Sequence, residues 1–139
     1  MTAKQVESQL KRIYYLKKEI KARERMRDEL MTQATHITSV LSQAKVFTDS
    51  GQSLPENYAV RSYELLQDLD DLTGQLMAEL DKGMKLIGSL SSPLERSILI
   101  DYHVNAMKLE RISEKYHYSY RQIYNIRMGA YRKIADNFR

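Results

Sequence analysis

The side chains best suited to chemistry lie in "HYSYRQIYNIRMGAYRKIADNF", residues 117–138. Arg121 can donate twice to a guanine edge, and Gln122 and Asn125 carry the donor and acceptor that pair with an adenine edge. Tyr120, Tyr124, Arg127, Arg132 and, just upstream, Lys115 are donors of the kind that hold phosphates. Ser119 stands where a helix cap belongs, its hydroxyl able to satisfy an exposed amide of the next turn. At about 100° per residue, Ile123, Ile126, Ala130 and Ile134 fall on one stripe, with Arg121, Asn125, Met128 and Arg132 opposite. Tyr120, Tyr124, Arg127 and Tyr131 form one flank of that helix, and Gln122, Gly129 and Lys133 the other. No acid interrupts it before Asp136. The spacing predicts a buried apolar stripe and a cationic, amide-bearing outer face, which is what a DNA major groove demands.

Other constellations carry less. His36, His103 and His117 are far apart and lack metal-ligand spacing. His117 reads as a turn residue. Asp68, Asp70 and Asp71 are the densest carboxylates, and on a leucine-striped helix they read as the wet side. There is no Gly-rich phosphate loop and no Ser/His/Asp cluster. The absence of cysteine excludes disulfides, thiolate catalysis and Cys-type zinc sites. The expectation is a protein that is not an enzyme and has no metal and no cofactor. Lys4, Lys11, Lys18 and Arg25 recur every seven residues and read as solvated or as partners of an acidic neighbour helix. Of the ten tyrosines, six fall between Tyr102 and Tyr131. Tyr116 and Tyr118 are expected to cap a small core.

The elements that position these groups are helical. Residues 92–139 predict three helices. "SPLERSILIDYHV" turns Leu94, Ile98, Leu99 and Tyr102 inward, and Asn105 and Ala106 break its pattern. "MKLERISEKY" is short and apolar at Leu109, Ile112 and Tyr116. The third begins after Ser119. A short helix, a tight turn with Ser113 beside it, and a second helix with a reading N-terminus make a helix-turn-helix. Both prolines, Pro55 and Pro93, lie in capping-box sequences, Ser53 with Glu56 and Ser92 with Glu95. "TDSGQS" before the first is turn chemistry around Gly51.

Upstream, about residues 3–47 contain neither Pro nor Gly. Val6, Leu10, Ile13, Leu16 and Ile20 recur at helical spacing, as do Leu30, Ala34, Ile37, Leu41 and Ala44. Unbroken, this helix would reach roughly 65 Å at about 1.5 Å per residue. About residues 54–90 repeat Leu66, Leu69, Leu72, Leu76, Leu80, Ile87 and Leu90 along one side. Gly83 and Gly88 weaken the end of that helix. The two are expected to fold back as an antiparallel hairpin or to join a coiled coil between subunits. No strand-like alternation stands out, so the expected fold class is all-α. Residues 1–90 form a helical hairpin or oligomerisation region, and 91–139 form a helix-turn-helix domain.

Charge follows the same division. Residues 1–49 carry ten Lys/Arg against six Asp/Glu, 50–91 three against seven, and 92–139 nine against five. A basic end beside an acidic middle points to nucleic acid. No apolar run approaches the roughly 18 residues of a bilayer span, and "MTAKQVESQLKR" has no apolar signal core. No membrane partner and a cytoplasmic location are expected.

"LERSILIDYHVNAMKLERISEKYHYSYRQIYNIRMGAYRKI" resembles region 4 of bacterial sigma factors. There a leucine/arginine helix precedes the helix-turn-helix, and the reading helix has the spacing now occupied by Ser119, Ile123, Ile126, Ala130 and Ile134. The resemblance covers about a third of the chain. The turn carries His117 where glycine is usual, and a non-Gly residue adopts the needed backbone at some cost. The whole chain is similar to small phage and prophage proteins of Gram-positive bacteria, with a helical first half, a stretch here running from Thr35 to Ser42, and a sigma-4-like end. Related proteins of the RinA and ArpU type are late-gene regulators. The resemblance implies a phage-encoded, sequence-specific regulator of transcription in the bacterial host cytoplasm. Its expected partners are double-stranded DNA, a second copy of itself, and host RNA polymerase. A sigma-4-like adaptor that binds polymerase without reading DNA, or a DNA-packaging recognition subunit, are the alternatives.

Overall fold

The computed structural model describes residues 1–44 and 54–139, all helix and short connections, with no strand among them. The fold class is all-α. The helices are α1 (Ala3–Ala44), α2 (Leu54–Gly88), α3 (Pro93–Leu99), α4 (Leu109–Tyr116) and α5 (Tyr120–Asn137). A π turn, Ile100–Val104, extends α3. The expected box at Ser53 and the turn around Gly51 lie outside the described residues, as do the side chains of Ile37, Leu41 and Ala44.

Packing divides the chain elsewhere than at residue 90. One compact unit joins Met1–Lys17 to Gln75–Arg139, and the other is Lys18–Gly74. The reason is apolar area. Three short helices hold only a small core, built of Ile98, Ile112 and Ile123 with Leu94, Tyr102, Leu109 and Tyr116 around it. A larger cluster completes the same unit. In it Val6, Leu10 and Ile13 of α1 and Leu86 and Ile87 of α2 meet Leu99, Ala130, Tyr131 and Ile134. Sixteen or so Å of α1 are therefore the missing wall of the C-terminal unit, at about 1.5 Å per residue from Ala3 to Ile13.

In the second unit the partners of α1 and α2 run in opposite directions. Arg23 pairs with Asp68 at 3.4 Å, and Ser62 Oγ donates to Met31 Sδ at 3.2 Å. Leu69 and Leu72 are buried as the periodicity required, but Leu66 is 43% exposed. Half-buried Leu65 takes the inward position instead.

Gly83 does not end α2, which continues to Gly88. It allows close approach. A Cβ there would lie 2.6 Å from Ile13 Cδ1 and 3.3 Å from Leu10 Cδ2, both fully buried side chains. At Gly74 a Cβ would meet nothing within 4 Å. Gly74→Ala is therefore expected to stabilise the chain by about 0.5–1 kcal/mol through helix propensity. Gly83→Ala should lose about 1 kcal/mol or more to overpacking. Parallel urea melts check the pair, and equal gains at both glycines would contradict the close packing of α1 on α2.

Candidate nucleic-acid interface

Each boundary of the C-terminal helices has a local cause. Ser92 Oγ accepts from the Glu95 amide at 3.3 Å, with Pro93 at the first helical position. The reciprocal half of that box is not formed, because the Glu95 carboxylate is taken by Lys133 of α5. The π turn closes with the Asn105 amide donating to Ile100 O at 2.9 Å. Ala106 follows in the left-handed region at φ 55°. For a residue with a Cβ that costs about 1–2 kcal/mol, and it stops α3 as the sequence predicted.

α4 ends at His117, whose φ of 58° and ψ of 38° are left-handed. The Tyr118 amide reaches back to Ser113 O at 3.2 Å, closing a Schellman-type cap. Ser119 then starts α5. Its Oγ accepts from the Gln122 amide at 3.1 Å, and its own amide donates to Gln122 Oε1 at 2.9 Å.

These caps place the predicted interface residues. Ser119 is the N-cap, as expected. Arg121, Asn125 and Arg132 are exposed, and among the described residues no ion pair or side-chain hydrogen bond holds them. Tyr120 and Tyr124 are exposed beside them. Ile123, Ala130 and Ile134 are fully buried and Ile126 half-buried, so the apolar stripe faces inward.

Six side chains have partners or burial that the spacing did not predict. Gln122 is exposed, but its amide oxygen serves the cap, so a two-point pairing with adenine would cost that bond. Lys115 is bound to Asp101 at 2.8 Å, so a phosphate contact would compete with that bond. Arg127 is only 6% exposed. Its guanidinium lies 4.3 Å from the Tyr102 ring centre and 5.5 Å from that of Tyr124, an arrangement favoured by cation–π attraction. Tyr131, expected on the same wet flank, is buried in the larger cluster. Arg127 is covered by the rings of Tyr102 and Tyr124, whereas residues of α1 and the end of α2 pack on α5 at Tyr131. For the same reason Met128 leans on that cluster and does not continue the outer face. Tyr118, expected to cap the core, is exposed.

Two groups that the sequence reading passed over organise the site. Asp101 is buried in the π turn. Its Oδ2 accepts from Lys115 at 2.8 Å and from Tyr116 Oη at 2.6 Å, and its Oδ1 from Asn105 Nδ2 at 3.0 Å. Burial raises the carboxyl pKa, but the three hydrogen bonds and the Lys115 charge outweigh it, and the net shift is downward. The bonds clamp the π turn onto α4. The signal in the sequence was a carboxylate three residues after Ile98, on the apolar stripe. His103 is 1% exposed, and its Nε2 lies 2.6 Å from Tyr131 Oη. Burial, with the charges of Arg127 and Lys11, lowers its pKa to about 3, so the ring is neutral at neutral pH. Burial drives the Tyr131 phenol well above its ordinary range, so it keeps its proton.

Replacement of Arg127 tests its reassignment. A buried cation with unsatisfied donors gains little over an apolar chain of similar length, and its Nε and Nη1 have no hydrogen-bond partner among the described residues. Arg127→Met is expected to leave stability within about 1 kcal/mol and, if the chain binds DNA through α5 as the sequence predicts, to leave that affinity and its salt dependence unchanged. Arg127→Ala should cost about 2–4 kcal/mol through the cavity it leaves. A salt slope for Arg127→Met flatter than that of the parent would return Arg127 to the phosphate-binding set.

Among the described residues, no group of three or more His, Cys, Asp or Glu side chains could hold a metal ion, and no helix is long and apolar enough to cross a membrane. No protein family, curated protein or solved structure matches the chain.

Proposed function

We propose that this chain is a sequence-specific double-stranded DNA-binding regulator of transcription, phage-encoded, in which α4 and α5 act as a helix-turn-helix. The observation that carries the reading is the start of α5. A capped helix N-terminus presents Arg121 and Asn125 to solvent one turn apart, uncommitted to any described partner. On this reading Arg121 and Asn125 read bases. Arg132, Tyr120 and Tyr124 hold the backbone, and the helix N-terminus adds its partial positive charge toward phosphate. Gln122 keeps the helix start in shape, and Lys115 fixes α4.

One such module covers a single half-site, so a second copy is part of the proposal. The Lys18–Gly74 unit exposes Met26, Met31, Val60, Tyr63 and Leu66. Covering them with a second copy would remove that apolar surface from water and set two reading helices one DNA turn, or a multiple of it, apart.

Genome-wide capture of DNA by the purified chain, with sedimentation to count subunits, tests the reading. Enrichment of a site with two half-sites and a dimer are expected. Capture of RNA polymerase without any DNA shift would replace it with the adaptor reading. A ring of eight or more subunits would replace it with DNA packaging.

A further inference from the structure

Beside the proposed interface, and wholly within the Met1–Lys17 and Gln75–Arg139 unit, lies an open cavity of about 410 Å³ between α1 and the connection from α3 to α4. That volume falls in the roughly 300–1,000 Å³ range of small-molecule sites. Tyr15, Tyr102 and Tyr120 supply aromatic walls, Lys11 and Lys108 supply cations, and the imidazole of His103 forms part of the lining. Ala106, in its left-handed conformation, is part of the same lining, and its neighbour π turn is a feature often found at functional sites.

His103 Nε2 lies 2.6 Å from Tyr131 Oη, so one of the two atoms donates to the other. Nδ1 of the neutral ring is a donor in one tautomer and an acceptor in the other. It is buried and has no hydrogen-bond partner among the described residues. A buried polar atom left unpaired is costly, and a polar atom of a ligand would satisfy it. Charge narrows the choice. Lys11 is already paired with Glu7 at 3.0 Å, and Glu110 is a carboxylate in the same lining, which leaves Lys108 as the cation for one anionic group.

We propose that this cavity is a binding site for a purine nucleoside monophosphate. The base stacks on the tyrosine rings, a polar atom of its edge pairs with His103 Nδ1, and the phosphate meets Lys108. Uracil and cytosine present a smaller ring face, and a bare sugar phosphate presents none. The inference does not require that α5 read DNA, so either can fail without the other.

The test is titration calorimetry of the full chain with guanosine monophosphate and adenosine monophosphate, with uridine monophosphate and ribose 5-phosphate alongside. Tyr15 and Lys108 are exposed, so Tyr15→Ala and Lys108→Glu should fold, and unchanged melting temperatures check that. Expected is saturable one-to-one binding of a purine nucleotide, weakened about tenfold or more by each substitution, with ribose 5-phosphate failing to compete. No saturation by either purine nucleotide at millimolar concentration would overturn the proposal. So would equal affinity in both variants, or competition by ribose 5-phosphate at matched concentration, which would mean that only an anion is held.

Discussion

Asp101→Ala is expected to lower the stability of the chain by about 2–4 kcal/mol, the cost of losing hydrogen bonds to a buried charged acceptor. Three donors lose their partner at once, from Lys115, Tyr116 and Asn105. Lys115 is half exposed and regains water, which places the loss below that of a fully buried pair. At about 3–5 °C per kcal/mol for a domain of this size, the melting temperature should drop by roughly 10 °C. Asp101→Asn should lose less, since its amide oxygen still accepts, although its NH₂ would face one of the donors. Proton linkage gives the same cluster a signature in acid. The folded pKa of Asp101 lies below its unfolded value, so its contribution is present above the unfolded value and is lost as pH falls through the folded one. His103 acts earlier. Below pH 6.5 the unfolded chain takes up a proton that the folded chain refuses until about pH 3. Stability should therefore fall with acidification by about 1.4 kcal/mol per pH unit for this one group across that window. Denaturant melts between neutral pH and pH 4 measure the slope, and His103→Gln should flatten it. An unchanged slope in that variant would show that His103 is not held neutral by burial.

Arg121→Ala should cost about 1–3 kcal/mol of binding free energy at one base position, roughly 5- to 150-fold in affinity, and relax preference there. Asn125→Ala should do the same at a neighbouring base pair. Arg132→Ala should behave differently: a loss similar on all sequences, with the salt dependence reduced by about one counterion. The contrast depends on position along α5. Arg121 and Asn125 lie within the first two turns after the cap, where a helix end meets base edges, whereas Arg132 lies beyond Met128, among residues that pack on the larger core. Competition gel shifts against single-base variants of the captured site, repeated over a range of salt, separate the two effects. If Arg121→Ala and Asn125→Ala both keep parental affinity and base preference, the outer face of α5 is not the reading face.

Local pattern determined much of this molecule. The helices of the C-terminal unit could be drawn from Pro93, the break at Asn105 and Ala106, the turn at His117 and the cap at Ser119, because each of these acts on backbone atoms only a few residues away. The inward stripe of Ile123, Ala130 and Ile134 could be drawn because helical spacing alone decides which side chains share a face. Exposure of Arg121, Asn125 and Arg132 followed from the same angle. Tertiary structure alone decided how wide the buried face of α5 is. Arg127 and Tyr131 read as a wet flank when helical spacing alone is taken, but residues from the start of α1 and the end of α2, far away in sequence, pack on Tyr131, and the ring of Tyr102, far upstream, covers Arg127. The roles of Asp101 and His103 were hidden for the same reason. Their partners Lys115, Tyr116 and Tyr131 stand 14 to 28 residues downstream, and hydrogen bonds at that separation leave no periodic trace. Periodicity reports the direction in which a side chain leaves its own helix. What it meets there depends on which distant apolar surface the chain brings up to cover it.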